Sequence, residues 1–173
     1  MFEFKLITSK HAKAYNDLVQ LGLKSFPIAF ETDFSQVENR PLKNVIEDLN
    51  EIEQSTGFLL GAFSPDNELV GTVFINPRIG PKVSHRADVF FMFILKKYQN
   101  KGVGKLLLNN AIERSKKIDG LEQLELSVSE YCPNAIHLYK KAGFQVTGSL
   151  KRQTKIDNIF HDYLIMWKLL KNM

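Results

Sequence analysis

One stretch near the middle of the 173-residue chain constrains its fold more than any other. The seven residues from Val89 to Leu95 are all apolar, as expected of a strand buried on both faces. A helix is predicted over Leu106 to Ile118, where apolar side chains recur three and four residues apart. The connecting loop, Gln99 to Gly104, contains two glycines. This order predicts an anion site, because glycine lets a ligand approach the backbone and the first N–H groups of a helix lack intrahelical partners.

The glycine loop alone is a weak signal, and an ordinary strand-to-helix turn is the alternative interpretation. No Gly-Lys-Ser/Thr sequence follows it, and the third glycine of the dinucleotide-binding fingerprint is missing. Four lysines surround the loop, and the formal net charge of the chain is +4. This local positive charge favours a small polyanionic ligand. Nucleic acid is not an expected partner, because no basic stripe is interleaved with aromatic residues.

Elsewhere the hydrophobic pattern predicts the element order β-α-α-β-β-β-α-β-α-β-β. Gly57–Phe63 and Leu69–Ile75 are predicted to form a hairpin across a short polar turn. The chain is predicted to end in another hairpin, with strands over Phe144–Leu150 and Asn158–Leu170 and a polar loop over Lys151–Asp157. This order predicts an α+β fold whose mixed sheet contains one parallel pair.

Length and composition are those of one globular domain, predicted over residues 1–173. No apolar run approaches the length of about 18 residues that spans a bilayer. The first ten residues lack the pattern of a secretory signal. The single cysteine, Cys132, cannot form an internal disulfide, which fits a reducing compartment. We therefore expect a cytoplasmic protein without a membrane partner.

A second motif follows one predicted strand after the glycine loop. Residues 134–144 read Asn-Ala-Ile-His-Leu-Tyr-Lys-Lys-Ala-Gly-Phe, on a predicted short helix that Gly143 closes. This motif and the preceding Gln-x-x-Gly-x-Gly resemble the two cofactor motifs of the GNAT superfamily of N-acetyltransferases. The resemblance covers roughly Val70 to Leu170, and the first sixty residues match only in element type. It implies a GNAT-like mixed, centrally splayed β-sheet flanked by helices.

The resemblance implies acetyl-CoA as the co-substrate and a set of residues that would hold it. Phe93, Ile94 and Leu95 would pair with the pantetheine arm as a neighbouring strand does. Asn134 would contact the cofactor near this arm, although capping of its own helix is the alternative role. The pyrophosphate would lie against the loop and the start of the helix, formed by Gln99, Asn100, Lys101, Gly102, Val103, Gly104 and Lys105.

The catalytic and substrate residues implied by the resemblance each have a structural alternative. Tyr139 would protonate the leaving thiolate, or it is an ordinary core tyrosine. Asp88, at the start of the central strand, would take a proton from the amine through a water relay, or it is simply solvated. Glu31 and Asp33 would attract a cationic amine, or they belong to a solvated acidic loop. Cys132 is interpreted as a structural thiol.

We therefore predict an N-acetyltransferase that moves acetyl from acetyl-CoA to a primary amine by direct attack in a ternary complex. The acceptor could be a protein N-terminus or lysine, a polyamine, or a small-molecule amine. A CoA-binding sensor or regulatory subunit without catalysis is the alternative. The histidines lack metal-ligand spacing, so no metal is expected. A homodimer is possible, because homodimers are common in families that resemble this one.

Overall fold

The computed structural model describes residues 1–170, which contain seven β-strands and four α-helices in the predicted order. The last three residues of the predicted 1–173 domain lie outside this part of the chain. The helices are α1 (Ala12–Ser25), α2 (Leu42–Gln54), α3 (Val103–Ser115) and α4 (Pro133–Lys141). The strands are β1 (Glu3–Leu6), β2 (Phe58–Phe63), β3 (Leu69–Pro77), β4 (Arg86–Ile94), β5 (Gln123–Ser129), β6 (Gln145–Ile156) and β7 (Ile159–Leu169).

All seven strands belong to one sheet with the order β1-β2-β3-β4-β5-β7-β6. Neighbouring strands are antiparallel except for β4 and β5, which are parallel and are connected through α3. A parallel pair needs such a long crossover, because a tight turn can join only antiparallel strands. The predicted α+β fold with a mixed sheet is therefore confirmed.

The parallel pair is short, and the two strands then separate. β4 pairs with β5 only from Arg86 to Asp88, against Gln123 to Glu125. The rest of β4 stays paired with β3 on its other side, and the rest of β5 stays paired with β7. A V-shaped gap therefore opens toward the carboxyl ends of β4 and β5. This gap confirms the predicted central splay of the sheet.

Helices cover both faces of the first half of the sheet. Helix α3 packs on one face through Leu107, Leu108 and other buried residues, and α1 and α2 cover the other face. Every residue of β2 is buried as a result, which explains its continuous apolar sequence. Helix α3 begins at Val103, before the predicted Leu106, and ends at Ser115.

The predicted loop in the C-terminal hairpin is wrong. Residues 151–156 continue β6, and only Asp157 and Asn158 form the turn, with φ angles of 48° and 65°. Asp and Asn tolerate this left-handed backbone, which matches the twist of a two-residue hairpin. The polar sequence indicated a loop because β6 is the edge strand of the sheet, where solvated side chains are compatible with a strand.

A network of charged side chains fastens β4 to β5 at the closed end of the gap. Arg78 donates to Asp88 through Nε and Nη2, at 2.9 and 2.6 Å, and to Glu125 Oε2 at 2.9 Å. Arg86 donates to both carboxylate oxygens of Glu125. The hydrogen bond from Arg86, helped by the charge of Arg78, lowers the pKa of Glu125. The network therefore stabilises the three-residue parallel pairing from which the splay starts.

Glu125→Gln should destabilise the fold, because two arginines lose the carboxylate between them. Removing one partner of a partly buried network costs about 2–3 kcal/mol in the free energy of unfolding. Since the folded pKa of Glu125 is lowered, its contribution is full above the unfolded pKa of about 4.3 and is lost as the pH falls through the folded value. Urea unfolding at pH 7 and pH 3 measures both effects.

The matched control is Glu113→Gln, since Glu113 forms an exposed ion pair with Lys116. Its removal should change the unfolding free energy by less than about 0.5 kcal/mol. A Glu125→Gln difference of the same size at pH 7 and pH 3 would contradict the network's electrostatic role.

Candidate active site

The gap between β4 and β5 forms a cleft of about 680 Å³. One wall is the end of β4 with the glycine loop and the first turn of α3. The facing wall is the loop after β5 and helix α4. Three residues of the segment between α1 and α2 complete the cleft, namely Phe26, Ala29 and Phe30. The two sequence motifs, far apart in the chain, therefore face each other.

The glycine loop turns sharply into α3 and leaves the first helical N–H groups open. Gly102 is the N-cap residue, with φ 80°, a conformation that glycine adopts without strain. A Cβ atom on Gly104 would lie 3.6 Å from both Ile94 Cγ1 and Leu138 Cδ2, among residues that line the cleft. Val103 contributes only its backbone, because its side chain is buried. The loop therefore has the geometry of an anion site for a ligand in the cleft.

The lysines around the loop are not equivalent. Lys97 is bound to Glu68 at 2.9 Å, and Lys101 lies over the ring of Tyr98, with its Nζ 5.8 Å from the ring centre. Lys105, one turn into α3, lines the cleft. Of the two lysines predicted to hold phosphate, the structure brings Lys105 to the site and holds Lys101 at its edge.

Ile94, the last residue of β4, presents its backbone N–H to the cleft. The N–H of Leu95 donates to the Val70 carbonyl and its carbonyl accepts from Tyr98 N–H, both at 2.8 Å. Because successive backbone groups in a strand point to opposite sides, the N–H and carbonyl of Ile94 point toward the gap. The Ile94 carbonyl accepts from Gln99 Nε2 at 2.8 Å, and the Ile94 N–H is left for a ligand. Gln99 therefore braces the loop, and Leu95 cannot pair with a ligand as predicted.

A β-bulge in β4 shapes the mouth of the cleft. The register against β3 shifts between Thr72 and Phe74, and Phe91 has φ 40°. The bulge lets both Phe91 and Phe93 contact the segment between α1 and α2. There the ring of Phe30 stacks on Phe91, with centroids 4.6 Å apart. The mouth is therefore bordered by an aromatic wall that the sequence did not predict.

Helix α4 carries the second motif on the facing wall. Cys132 is its N-cap residue and Pro133 begins it, so Asn134 does not cap the helix and its alternative role is wrong. Asn134 lines the cleft, as does Tyr139. The Tyr139 ring is buried against Phe144, and burial raises the pKa of its phenol, with a smaller effect from the charge of Cys132. Tyr139 is therefore fully protonated at neutral pH.

Asp88 is not brought to the cleft. It lies six residues before Ile94 on β4, which corresponds to about 20 Å of extended strand. Its carboxylate is held by Arg78 in the network at the closed end of the gap. The position and the pairing of this carboxylate do not support the base role predicted from the sequence.

The two acidic residues predicted to attract an amine have different surroundings. Asp33 caps a short 3₁₀ turn and accepts from the N–H and the hydroxyl of Ser35, which lowers its pKa. Glu31 accepts from Gln153 Nε2 at 3.1 Å and so connects the α1–α2 segment to β6. Neither side chain lines the cleft, and Glu31 is the nearer in sequence to the cleft residues Ala29 and Phe30.

Several cleft residues were missed in the sequence, namely Phe26, Phe30, Tyr131 and His137. Phe26 and Phe30 flank Pro27 and Ile28, an aromatic and proline pattern at a helix end that could have indicated them. Cys132 also lines the cleft, and burial raises the pKa of its thiol, which agrees with a structural cysteine.

Within residues 1–170, no three His, Cys, Asp or Glu side chains converge as metal ligands would. No helix in this part of the chain has the length and hydrophobicity to cross a bilayer.

Known proteins with similar sequences are acetyltransferases. Spermidine N(1)-acetyltransferase of Vibrio cholerae is 33% identical over 85 residues, which are 49% of this chain and 49% of that protein. L-amino acid N-acetyltransferase AaaT of Escherichia coli is 32% identical over 87 residues, 50% of this chain and 53% of that protein. The chain therefore spans about half the length of these relatives.

Solved structures match over nearly the whole chain. A GNAT family acetyltransferase from Streptococcus pneumoniae has a TM-score of 0.88 at 29% identity, over 98% of this chain and 99% of that one. The putative acetyltransferase yncA from Salmonella typhimurium, solved with acetyl-CoA, has a TM-score of 0.87 over 100% of this chain and 96% of that one. At 14% identity, this second likeness shows the fold alone.

The profile of the Acetyltransferase (GNAT) family matches residues 17–144, well over half of the sequence. This match includes the glycine loop, Tyr139 and the whole of the splayed strand pair. The chain therefore belongs to the GNAT family of acetyltransferases.

Proposed function

We propose that this protein transfers an acetyl group from acetyl-CoA to a primary amine by direct attack in a ternary complex. The observation that carries the proposal is the composition of the cleft between β4 and β5. Open helical N–H groups and Lys105 line one end, and the protonated phenol of Tyr139 lies on the facing wall. This arrangement suits a ligand that has an anionic group at one end and a reacting group that lies beside a proton donor.

The residues of the cleft fit acetyl-CoA along its length. Val103, Gly104 and Lys105 would donate backbone N–H groups to the pyrophosphate, with the Lys105 ammonium beside it. The free N–H of Ile94 would bind the amide-containing pantetheine arm as a neighbouring strand does. Asn134, on the facing helix, would contact the same arm. Bound acetyl-CoA supplies an activated acyl carbon and a thiol leaving group.

A backbone N–H of the splayed β4 would polarise the thioester carbonyl. Its fixed direction means that little reorganisation is needed as negative charge develops on the oxygen. The bulge at Phe91 supports this role, because it changes the direction of the backbone groups that follow it. Within the gap, β5 does not compete for these groups, since its pairing with β4 ends at Asp88.

Tyr139 would donate to the leaving thiolate. Burial raises the pKa of the phenol above its ordinary value of about 10, so the donor form is complete at neutral pH. A raised pKa also disfavours a lasting tyrosinate. We therefore propose that Tyr139 gives its proton as the amine nitrogen releases one, so that the negative charge on its oxygen is brief.

The acceptor is proposed only as a primary amine, of a small molecule or of a protein. Two relatives are named for spermidine and for L-amino acids, which are both amines. We propose that Glu31, which directly follows the cleft residue Phe30, contributes to amine attraction. We further propose that residues 1–173 act as one cytoplasmic domain. We propose a homodimer as the assembly of this domain.

The direct test of this function is release of CoA thiol from acetyl-CoA in the presence of spermidine, L-amino acids and short peptides with free N-termini. Turnover with at least one amine is expected. Tight binding of acetyl-CoA without thiol release from any of them would contradict the enzyme and favour the alternative of a CoA-binding sensor.

Tyr139→Phe should lower kcat by about 10²-fold, in the range for loss of a general acid, with little change in the affinity for acetyl-CoA. Phenylalanine retains the ring packing on Phe144, so the melting temperature should not fall. Steady-state kinetics and calorimetric titration measure the two effects. An unchanged kcat would remove Tyr139 from the acid role.

Gly104→Ala should weaken acetyl-CoA binding without destabilising the protein. The added methyl group meets only side-chain atoms at 3.6 Å and beyond, but it occupies the path of a ligand to the helix N-terminus. We expect about a 10-fold or greater rise in Kd, the effect of about 1.4 kcal/mol.

Gly102→Ala is the contrasting variant, since φ 80° strains any other residue and should lower the melting temperature. If Gly104→Ala binds acetyl-CoA with wild-type affinity, the pyrophosphate does not bind at the start of α3.

A further inference from the structure

A buried histidine lies outside the residues discussed so far. His161, on β7, is 5% exposed, and its Nδ1 atom has no hydrogen-bond partner within residues 1–170. Buried polar atoms in native proteins are nearly always paired with protein or water. An unpaired imidazole nitrogen therefore indicates a place where a polar ligand or an ordered water binds.

A second unpaired polar atom lies across the strand ladder. Thr154 on β6 is the register partner of His161, and its buried hydroxyl lies close to the Tyr163 hydroxyl but forms no hydrogen bond of ordinary geometry within residues 1–170. Directly opposed residues in an antiparallel pair point to the same face of the sheet. Tyr163, two residues along β7, shares this face, and its hydroxyl donates to the Ile28 carbonyl at 3.3 Å. Three polar groups thus share one face of the β6–β7 ladder, and Tyr163 connects this face to the α1–α2 segment.

This polar group is adjacent to the cleft. The ring of His161 contacts Tyr131 edge to face, with centroids 5.0 Å apart, and Tyr131 lines the cleft. Tyr163 donates to the carbonyl of Ile28, the residue before Ala29, which lines the cleft. His161 is therefore on the side of the cleft away from the glycine loop. With acetyl-CoA on the α3 side, an amine would approach from this side.

Two acidic candidates for a base are already paired, and His137, which lines the cleft, is the alternative imidazole. Asp88 is held by Arg78 at the closed end of the gap, and Glu31 accepts from Gln153. The acceptor amine is protonated at neutral pH and must lose a proton before it attacks. An imidazole, with an ordinary pKa near 6.5, is suited to receive that proton at neutral pH.

We propose that His161 receives the proton of the attacking amine through one water held by His161 and Thr154. This inference rests on the proposed acetyl transfer. The ammonium gives one proton through the water to neutral His161, and the nitrogen lone pair forms the C–N bond to the thioester carbon. The C–S bond breaks and the thiolate takes the Tyr139 proton. The second amine proton returns to Tyr139, and the imidazolium releases its proton to solvent.

The groups around His161 permit a clear pH test. Tyr131 faces the ring from the β5–α4 loop, Thr154 faces it from β6, and Tyr163 shares the same face of β7. Glu31 lies on the α1–α2 segment, to which Tyr163 is hydrogen-bonded. A limb of the kcat/KM profile that is lost in His161→Gln and kept in variants of the other groups therefore belongs to His161.

The experiment compares His161→Gln with wild type, using acetyl-CoA and whichever of spermidine or an N-terminally free tripeptide is turned over. We expect kcat to fall by about 10²-fold, with the KM for acetyl-CoA unchanged. The limb of kcat/KM that a histidine base produces should disappear, and the rate should then rise with pH toward the pKa of the amine. Added imidazole should partly restore His161→Ala. His85→Gln is the matched control, since His85 is bonded through its backbone carbonyl, and it should keep the wild-type profile.

Thr154→Val keeps the test decisive if the His161 variants fold poorly. It removes one hydroxyl that forms no hydrogen bond of ordinary geometry within residues 1–170, so it should keep the melting temperature and lower kcat by about 10-fold through loss of the water. If the wild type is active and His161→Gln keeps its kcat and pH profile, the role of His161 is overturned and the proposed function stands. If His161→Gln does not fold, the same result in Thr154→Val overturns that role. Loss of the limb in His137→Gln but not in His161→Gln would overturn it as well. A wild type without thiol release would overturn the proposed function and, with it, this inference.

Discussion

The early end of the pairing between β4 and β5 is the constraint on which the rest of the structure depends. Each strand keeps its other neighbour, so both remain ordered while one side of each carries backbone groups without a strand partner. Buried backbone N–H and carbonyl groups normally require partners. An extended ligand with amide groups can provide them along the gap. The arginine and carboxylate network fixes where the gap begins, and the brace from Gln99 to Ile94 holds its open end.

The splay also divides the site into two sides with different chemistry. The α3 side offers open helical N–H groups and Lys105, which suit phosphate. The α1–α2 side offers the stacked rings of Phe30 and Phe91, and the polar group around His161 beyond them. Tyr139 lies on the wall between, with its phenol protonated at neutral pH and its pKa raised by burial. A reaction that joins a large anionic donor to a smaller amine needs both sides and a proton donor where they meet.

Sequence was sufficient for features that local pattern determines. The element order follows from periodicity, and the cleft position of Tyr139 and Asn134 follows from the resemblance of two motifs to the GNAT superfamily. It was insufficient where distant residues decide. Asp88 looked free because its partner Arg78 comes from the preceding loop, and Leu95 looked available because Val70 is on another strand. The bulge in β4 depends on its register with β3, which a single sequence does not specify.

The central claim is that acetyl-CoA binds in the gap between β4 and β5, and amide chemical shifts test it most directly. Titration of ¹⁵N-labelled protein with acetyl-CoA, followed by ¹H–¹⁵N correlation spectra, reports on each backbone N–H separately. The account predicts the largest shifts at Ile94 and at Val103, Gly104 and Lys105, together with slower hydrogen exchange at Ile94. Saturable binding that leaves these four amides unchanged, with shifts concentrated elsewhere, would contradict it.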